Sequence, residues 1–304
     1  MRASKAIGLY AVVVIVVGVL FAPWLFWTVQ WLAAHVGAVH RLANYSFRRV
    51  FNRSLMIVAL AGLWPLLRAV GLRTWPEVGY VRTRRWWRHV LIGFGLGLGS
   101  FLLAIAISIM LGHRSLATDK SLGEFAGAVL RYTVVGLVVA LIEETFFRGA
   151  IQGVFQRGMN VVLAVIVASA IYSVLHYVKP RGADIAPGQI TWNSGFIYLG
   201  EIGQRSFAKR DDVIGFVTLF LAGCILGLAY AKTRALYLPI GLHAGWVLAN
   251  ESARWLDAGA IVEDMTTWPV LALLLVIVGW LCTTKLKPLH VPEEFGSGRV
   301  APST

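Results

Sequence analysis

Ala126–Gln156, AGAVLRYTVVGLVVALIEETFFRGAIQGVFQ, is the stretch on which the reading of this chain turns. Crossing a bilayer takes about 20 predominantly apolar residues, and this run exceeds that length without a proline. It nevertheless carries two adjacent glutamates, Glu143 and Glu144, well away from its ends. An acidic side chain at the centre of a membrane helix costs about 2.5–3.5 kcal/mol on insertion scales, so such a pair demands ionic partners or a wet cavity. The run is long for a simple span, and Gly149 and Gly153 near its end permit a break or a close helix contact.

Working outward, seven further segments approach spanning length: 7–34, 54–72, 89–112, 160–178, 212–232, 235–252 and 268–284. With 58% hydrophobic and 14% charged residues over 304 positions and a mean hydropathy of +0.70, lipid is the main solvent. Unpaired backbone groups are not tolerated in hydrocarbon, so the spans are helices. The predicted fold is an all-α polytopic transmembrane bundle of about eight spans. It divides into N-terminal spans at 1–125, a helical core at 126–252, a last span within 253–284 and a disordered tail at 285–304. The first segment follows Arg2 and Lys5 but runs on through Trp24, Trp27 and Trp31, too long for a signal-peptide core, and is expected to be a retained anchor.

A net charge of +13 invites a nucleic-acid reading, but the basic residues sit in short clusters between apolar runs, the pattern that writes membrane topology. Nucleic acid is therefore not an expected partner; membrane lipid is. With both termini cytoplasmic, Arg73, Arg82, Arg84, Arg85, Arg88, Arg157, Lys232, Arg234, Lys285 and Lys287 fall inside, and Glu251, Asp257, Glu263 and Asp264 outside. Arg41, Arg48, Arg49 and Arg53 oppose this scheme unless residues 37–53 form a surface helix or a span is miscounted. A multi-pass protein of the cell membrane is the expected localisation. The turn-rich insertion 179–211 is expected to cover a site or touch substrate. Cys224 and Cys282 lie in apolar runs and imply neither a disulfide scaffold nor a thiolate metal site.

Of fifteen acidic residues, thirteen map to loops, span ends or the tail, leaving Glu143 and Glu144. The same filter applied to seven histidines leaves His176 and His243. Glu143 lies 14 residues before Arg157 and His176 lies 16 after Asn160, which places them at similar depth; His243, 8 after Ala235, is about 10 Å shallower at 1.5 Å per residue. Adjacent helical residues point about 100° apart, so the glutamates have different jobs. Glu144 and Arg148 stand four apart on one face, in the favourable order for an ion pair, which leaves Glu143 as the freer base. A desolvated glutamate can take a proton from water while His176 aligns that water and His243 stabilises an oxyanion. Ser169 and Ser173 are expected to serve as packing or polar support. One Glu and two His also match a hydrolytic zinc set in ligand type, with Glu143, His176 and His243 as ligands if a metal is present; the His-Glu-x-x-His spacing is absent.

These residues resemble a known family. Glu143-Glu144-Thr145-Phe146-Phe147-Arg148-Gly149 is similar to the EExxxRG motif of the CPBP (CAAX protease and bacteriocin-processing) membrane peptidases, which include the type II CAAX prenyl endopeptidases and the bacterial Abi proteins. Tyr172-Ser173-Val174-Leu175-His176 resembles the second motif, with Tyr in place of the usual Phe, and a third motif starts at His243. The resemblance covers roughly 126–252. It implies an intramembrane endopeptidase acting on a membrane-associated peptide or protein, with Glu143 as base, Glu144 and Arg148 as its supporting pair, His176 at the water and His243 at the oxyanion. The family is described both as metalloproteases and as glutamate-dependent peptidases, so the cofactor, none or a divalent metal such as zinc, stays open. Where the family often has Asn four residues after the third-motif histidine, this chain has Val247; Asn250, seven residues from His243 and on nearly the same face, is the candidate replacement. A proton-coupled transporter and a catalytically degenerate scaffold are the competing readings. Transporters of this kind carry internal repeats, and none is visible here.

Overall fold

A computed structural model describes residues 3–81, 84–112, 120–177, 184–205 and 210–256, together with 277, 279 and 284. The described chain is all helix: α1 (Ala3–His35), α2 (Phe47–Ala69), α3 (Trp75–Val78), α4 (Trp86–Met110), α5 (Leu122–Glu144), a π-helical segment (Thr145–Gln152), α6 (Gly153–Phe155), α7 (Val161–Tyr177), α8 (Ser194–Arg205), α9 (Arg210–Thr233) and α10 (Tyr237–Trp255). No strand occurs among the described residues. The protein is an all-α polytopic membrane bundle, in which Lys5–His35, Phe47–Ala69, Trp86–Met110, Leu122–Phe155 and Val213–Thr233 are long and apolar enough to cross a bilayer and Val161–His176 is a shorter apolar helix.

The expected spans therefore reappear with two qualifications. The run at 235–252 becomes α10, which falls outside that set on length and composition, and its stretch Leu238 to Trp246 is buried without interruption. The run at 268–284 and the tail 285–304 lie almost wholly outside the described residues, as do Arg82, Pro180, Gly182, Asp257, Glu263, Asp264 and Cys282. Of residues 37–53, where the arginines opposed the topology scheme, 37–44 with Arg41 form a 3-10 helix, and Arg48, Arg49 and Arg53 stand at the start of α2.

Two compact units share the chain, residues 1–72 with 177–208 and residues 73–176 with 209–304. In the first unit α1 packs on α2 and α8. Gly18 admits Leu55, and the hydroxyl of buried Ser54 donates to the Gly18 carbonyl at 2.8 Å. Phe26, Phe47, Phe51 and Tyr198 fill the centre with edge-on ring contacts, the offset arrangement that ring quadrupoles favour. Helix α8 arises within the insertion 179–211, and its Gly195 lets α1 approach at Val19.

The second unit is built around α10. Gly93 and Gly97 of α4 face Leu238 and Leu242, while Gly241 and Gly245 of α10 face Val90, Phe94 and Leu98. These reciprocal small-xxx-small pairs run in parallel, and a Cβ at any of the four would collide with partner backbone. Trp246 Nε1 donates to Ser100 Oγ at 3.1 Å across the same seam. Helix α5 runs antiparallel to α10, with Phe125 beside Trp255 at one end and Gly136 against Ala244 and Val247 farther along. Ser121 and Glu124 form a capping box that fixes the start of α5. Helix α9 closes on α7 through Gly223 against Ser169 and Gly227 against Val165.

Candidate active site

Glu143 and Glu144 end α5, and the next eight residues, TFFRGAIQ, are π-helical. A π-turn widens the helix and shifts its hydrogen-bond register, a feature concentrated at functional sites. Here it follows directly on the paired carboxylates. Gly149, expected to allow a break or a close contact, provides the latter: it admits Val78.

The two glutamates occupy different surroundings. Glu144 is fully buried, and its Oε1 lies 2.9 Å from Arg148 Nη1 and 2.7 Å from His243 Nδ1. Arg148, itself 1% exposed, also donates Nη2 to the Gly223 carbonyl at 3.2 Å and lies over the rings of Tyr172 and Phe147. One turn on, Gln152 donates to the Gly227 carbonyl at 2.8 Å. A buried ion pair depends on further hydrogen bonds, and the Gly223 carbonyl of α9 supplies one to the arginine. Glu143, by contrast, keeps 26% of its side chain exposed.

Both histidines present Nε2 to Glu143 Oε2, His176 at 3.2 Å and His243 at 3.8 Å. Their Nδ1 atoms are committed elsewhere: His176 Nδ1 is 2.8 Å from the Tyr172 carbonyl, which can only accept, and His243 Nδ1 is on the Glu144 carboxylate. Nδ1 therefore carries the proton in each ring, and in the neutral imidazole Nε2 is a bare lone pair. The Glu143 carboxylate thus faces both Nε2 atoms, with His176 the nearer. Tyr172 packs its ring against His176 at 4.1 Å and edge-on to His243 at 6.4 Å, fixing both imidazoles.

The structure thus brings Glu143, Glu144, Arg148, His176 and His243 together. Asn250 is not among them. It lies seven residues beyond His243, about 10 Å along the helix, and makes no hydrogen bond to the site residues among those described. Val247 faces Gly136 of α5 instead. The expected metal trio supplies suitable atom types, yet no group of three His, Cys, Asp or Glu among the described residues has the geometry to hold an ion. Ser169 packs at Gly223, and Ser173 is buried, in keeping with packing positions.

One contributor came from outside the motifs. Residues 73–81 pack against the π-helical segment that follows α5, with Val78 on Gly149 and the Tyr80 hydroxyl hydrogen-bonded to Thr145 Oγ1. Burial pushes the Tyr80 hydroxyl above its usual range, so it stays a protonated donor at neutral pH. Burial would also raise the Glu77 carboxyl, but donation from the backbone N–H groups of Arg73 and Thr74 holds it below the usual range and caps α3. The Thr74–Glu77 spacing of that capping box was the one legible signal in this segment.

Two carboxylates, two imidazoles and a guanidinium thus converge inside the apolar bundle of an integral membrane protein. Residues 125–249 match the family model described as type II CAAX prenyl endopeptidase Rce1-like. At family level that match implies a membrane protease. No curated protein and no solved structure matches the chain.

Proposed function

We propose that the protein is an intramembrane endopeptidase in which Glu143 activates water. The observation that carries this reading is the convergence of two Nε2 atoms on Glu143 Oε2 while both Nδ1 atoms are anchored. Water held by Glu143 and His176 loses a proton to Glu143 as its oxygen bonds to the scissile carbonyl carbon. The oxyanion that forms meets Nε2–H of imidazolium His243, whose charge is balanced by Glu144. Glu143 then returns the proton to the departing amine nitrogen as the C–N bond breaks. Glu144 and Arg148 do not react; they orient His243 and satisfy one another.

The family description favours a prenylated C-terminal tail as substrate. An apolar groove of about 410 Å³, lined by Tyr80, Leu137, Val138, Leu141, Tyr237 and Ile240 among others, supports an apolar substrate anchor, since Leu141 stands two residues from Glu143. The test is release of the C-terminal tripeptide from a farnesylated peptide in proteoliposomes, read by mass spectrometry for wild type and Glu143→Gln. Release by wild type and its loss in the variant is expected; equal release by both would overturn the assignment.

A further inference from the structure

We infer that Tyr80, which lies outside the family-matched segment, is a positioning residue that holds the catalytic carboxylates in register. This role rests on the peptidase reading above. Thr145 follows Glu144 directly, and its hydroxyl contacts both the Leu141 carbonyl and the Tyr80 hydroxyl. A carbonyl only accepts, so Thr145 donates to Leu141 and Tyr80 must donate to Thr145. The chain Tyr80 to Thr145 to Leu141 spans the junction at which α5 passes into the π-helical segment. At that junction the Thr145 N–H is shared between the carbonyls of Ile142 and Leu141, so the backbone alone does not choose one register. The tyrosine supplies the missing constraint on the turn that carries Glu143 and Glu144.

The segment bearing Tyr80 is itself fixed on both sides. The Gly79 carbonyl accepts from Leu236 N–H at 3.0 Å, and the Val81 carbonyl accepts from the Tyr237 hydroxyl at 3.1 Å. Gly79 adopts φ +116°, and a Cβ there would meet the Tyr230 ring and Leu236, so only glycine fits. Val78 occupies the notch left by Gly149. The strap therefore ties the start of α10, the helix of His243, to the end of α5, the helix of both glutamates. Displacing a catalytic group by about 1 Å costs on the order of 100-fold in rate, so even partial release of this tie is measurable.

The experiment is a double-mutant cycle with Tyr80→Phe and Thr145→Val, plus Thr145→Ser, in full-length protein in proteoliposomes. Tyr80→Phe keeps the ring that walls the apolar groove and removes only the hydroxyl. The inference predicts kcat lowered about tenfold in each single variant with KM within about twofold, no further loss in the double variant, and recovery in Thr145→Ser. Wild-type kcat in Tyr80→Phe, or losses that multiply in the double variant, would overturn it. Glu143→Gln measured alongside separates the two claims: its loss of turnover with an active Tyr80→Phe sinks this inference alone, whereas turnover in Glu143→Gln sinks the peptidase reading and this role with it.

Discussion

The two units of the chain are both apolar and helical, yet they treat charge in opposite ways. In the first, the arginines at 41, 48, 49, 53 and 68 are exposed, and the buried polar side chains are the hydroxyls of Ser54 and Ser194. In the second, Glu144, Arg148, Gln152 and His243 are buried together. An aromatic core around Phe47, Phe51 and Tyr198 holds the helices of the first unit together. Burial of charge at α5 and α10 costs free energy that such a core does not incur, which is what the proposed chemistry accounts for.

That contrast is open to attack from both sides. Arg148→Met should have the largest combined effect, because it removes the guanidinium from a fully buried Glu144 carboxylate; a stability loss of about 3–5 kcal/mol is expected together with loss of turnover, measured by denaturation and activity in the same detergent. Phe51→Ala opens the aromatic core of the first unit and should destabilise by about 3–5 kcal/mol, the loss expected for a buried phenylalanine. Its kcat per folded molecule should stay near wild type, and a kcat loss comparable to that of Arg148→Met would erase the division of labour. Arg49→Gln removes an exposed charge stacked on Tyr45 and should shift stability by less than about 0.5 kcal/mol. A larger shift would show that charge in the first unit is structural after all.

Much of the site was legible because its signals are local or rare. Carboxylates inside an apolar run stand out on energetic grounds alone, and the four-residue spacing of Glu144 and Arg148 is enough to anticipate their pairing. What was not legible depends on other helices. Nothing in the spacing of His243 indicates that its Nδ1 reaches Glu144, since 99 residues separate them. The Gly93/Gly97 and Gly241/Gly245 pairs read as small-residue motifs, but only the fold shows that they face one another and bury α10. Tyr80 follows a four-residue helix with no periodicity to betray its contacts. Asn250 shows the same limit: helical phase is readable from sequence, whereas depth along the axis needs the partner helices.

The central claim is that Glu143 reacts and Glu144 holds. Turnover and melting temperature of Glu143→Gln, measured on one preparation beside wild type, test it most directly. Loss of a general base predicts a fall in kcat of about 10²–10⁴-fold, with a melting temperature within a few degrees of wild type because the side chain is partly exposed. Undiminished turnover, or a melting transition that collapses as far as that of Arg148→Met, would contradict it.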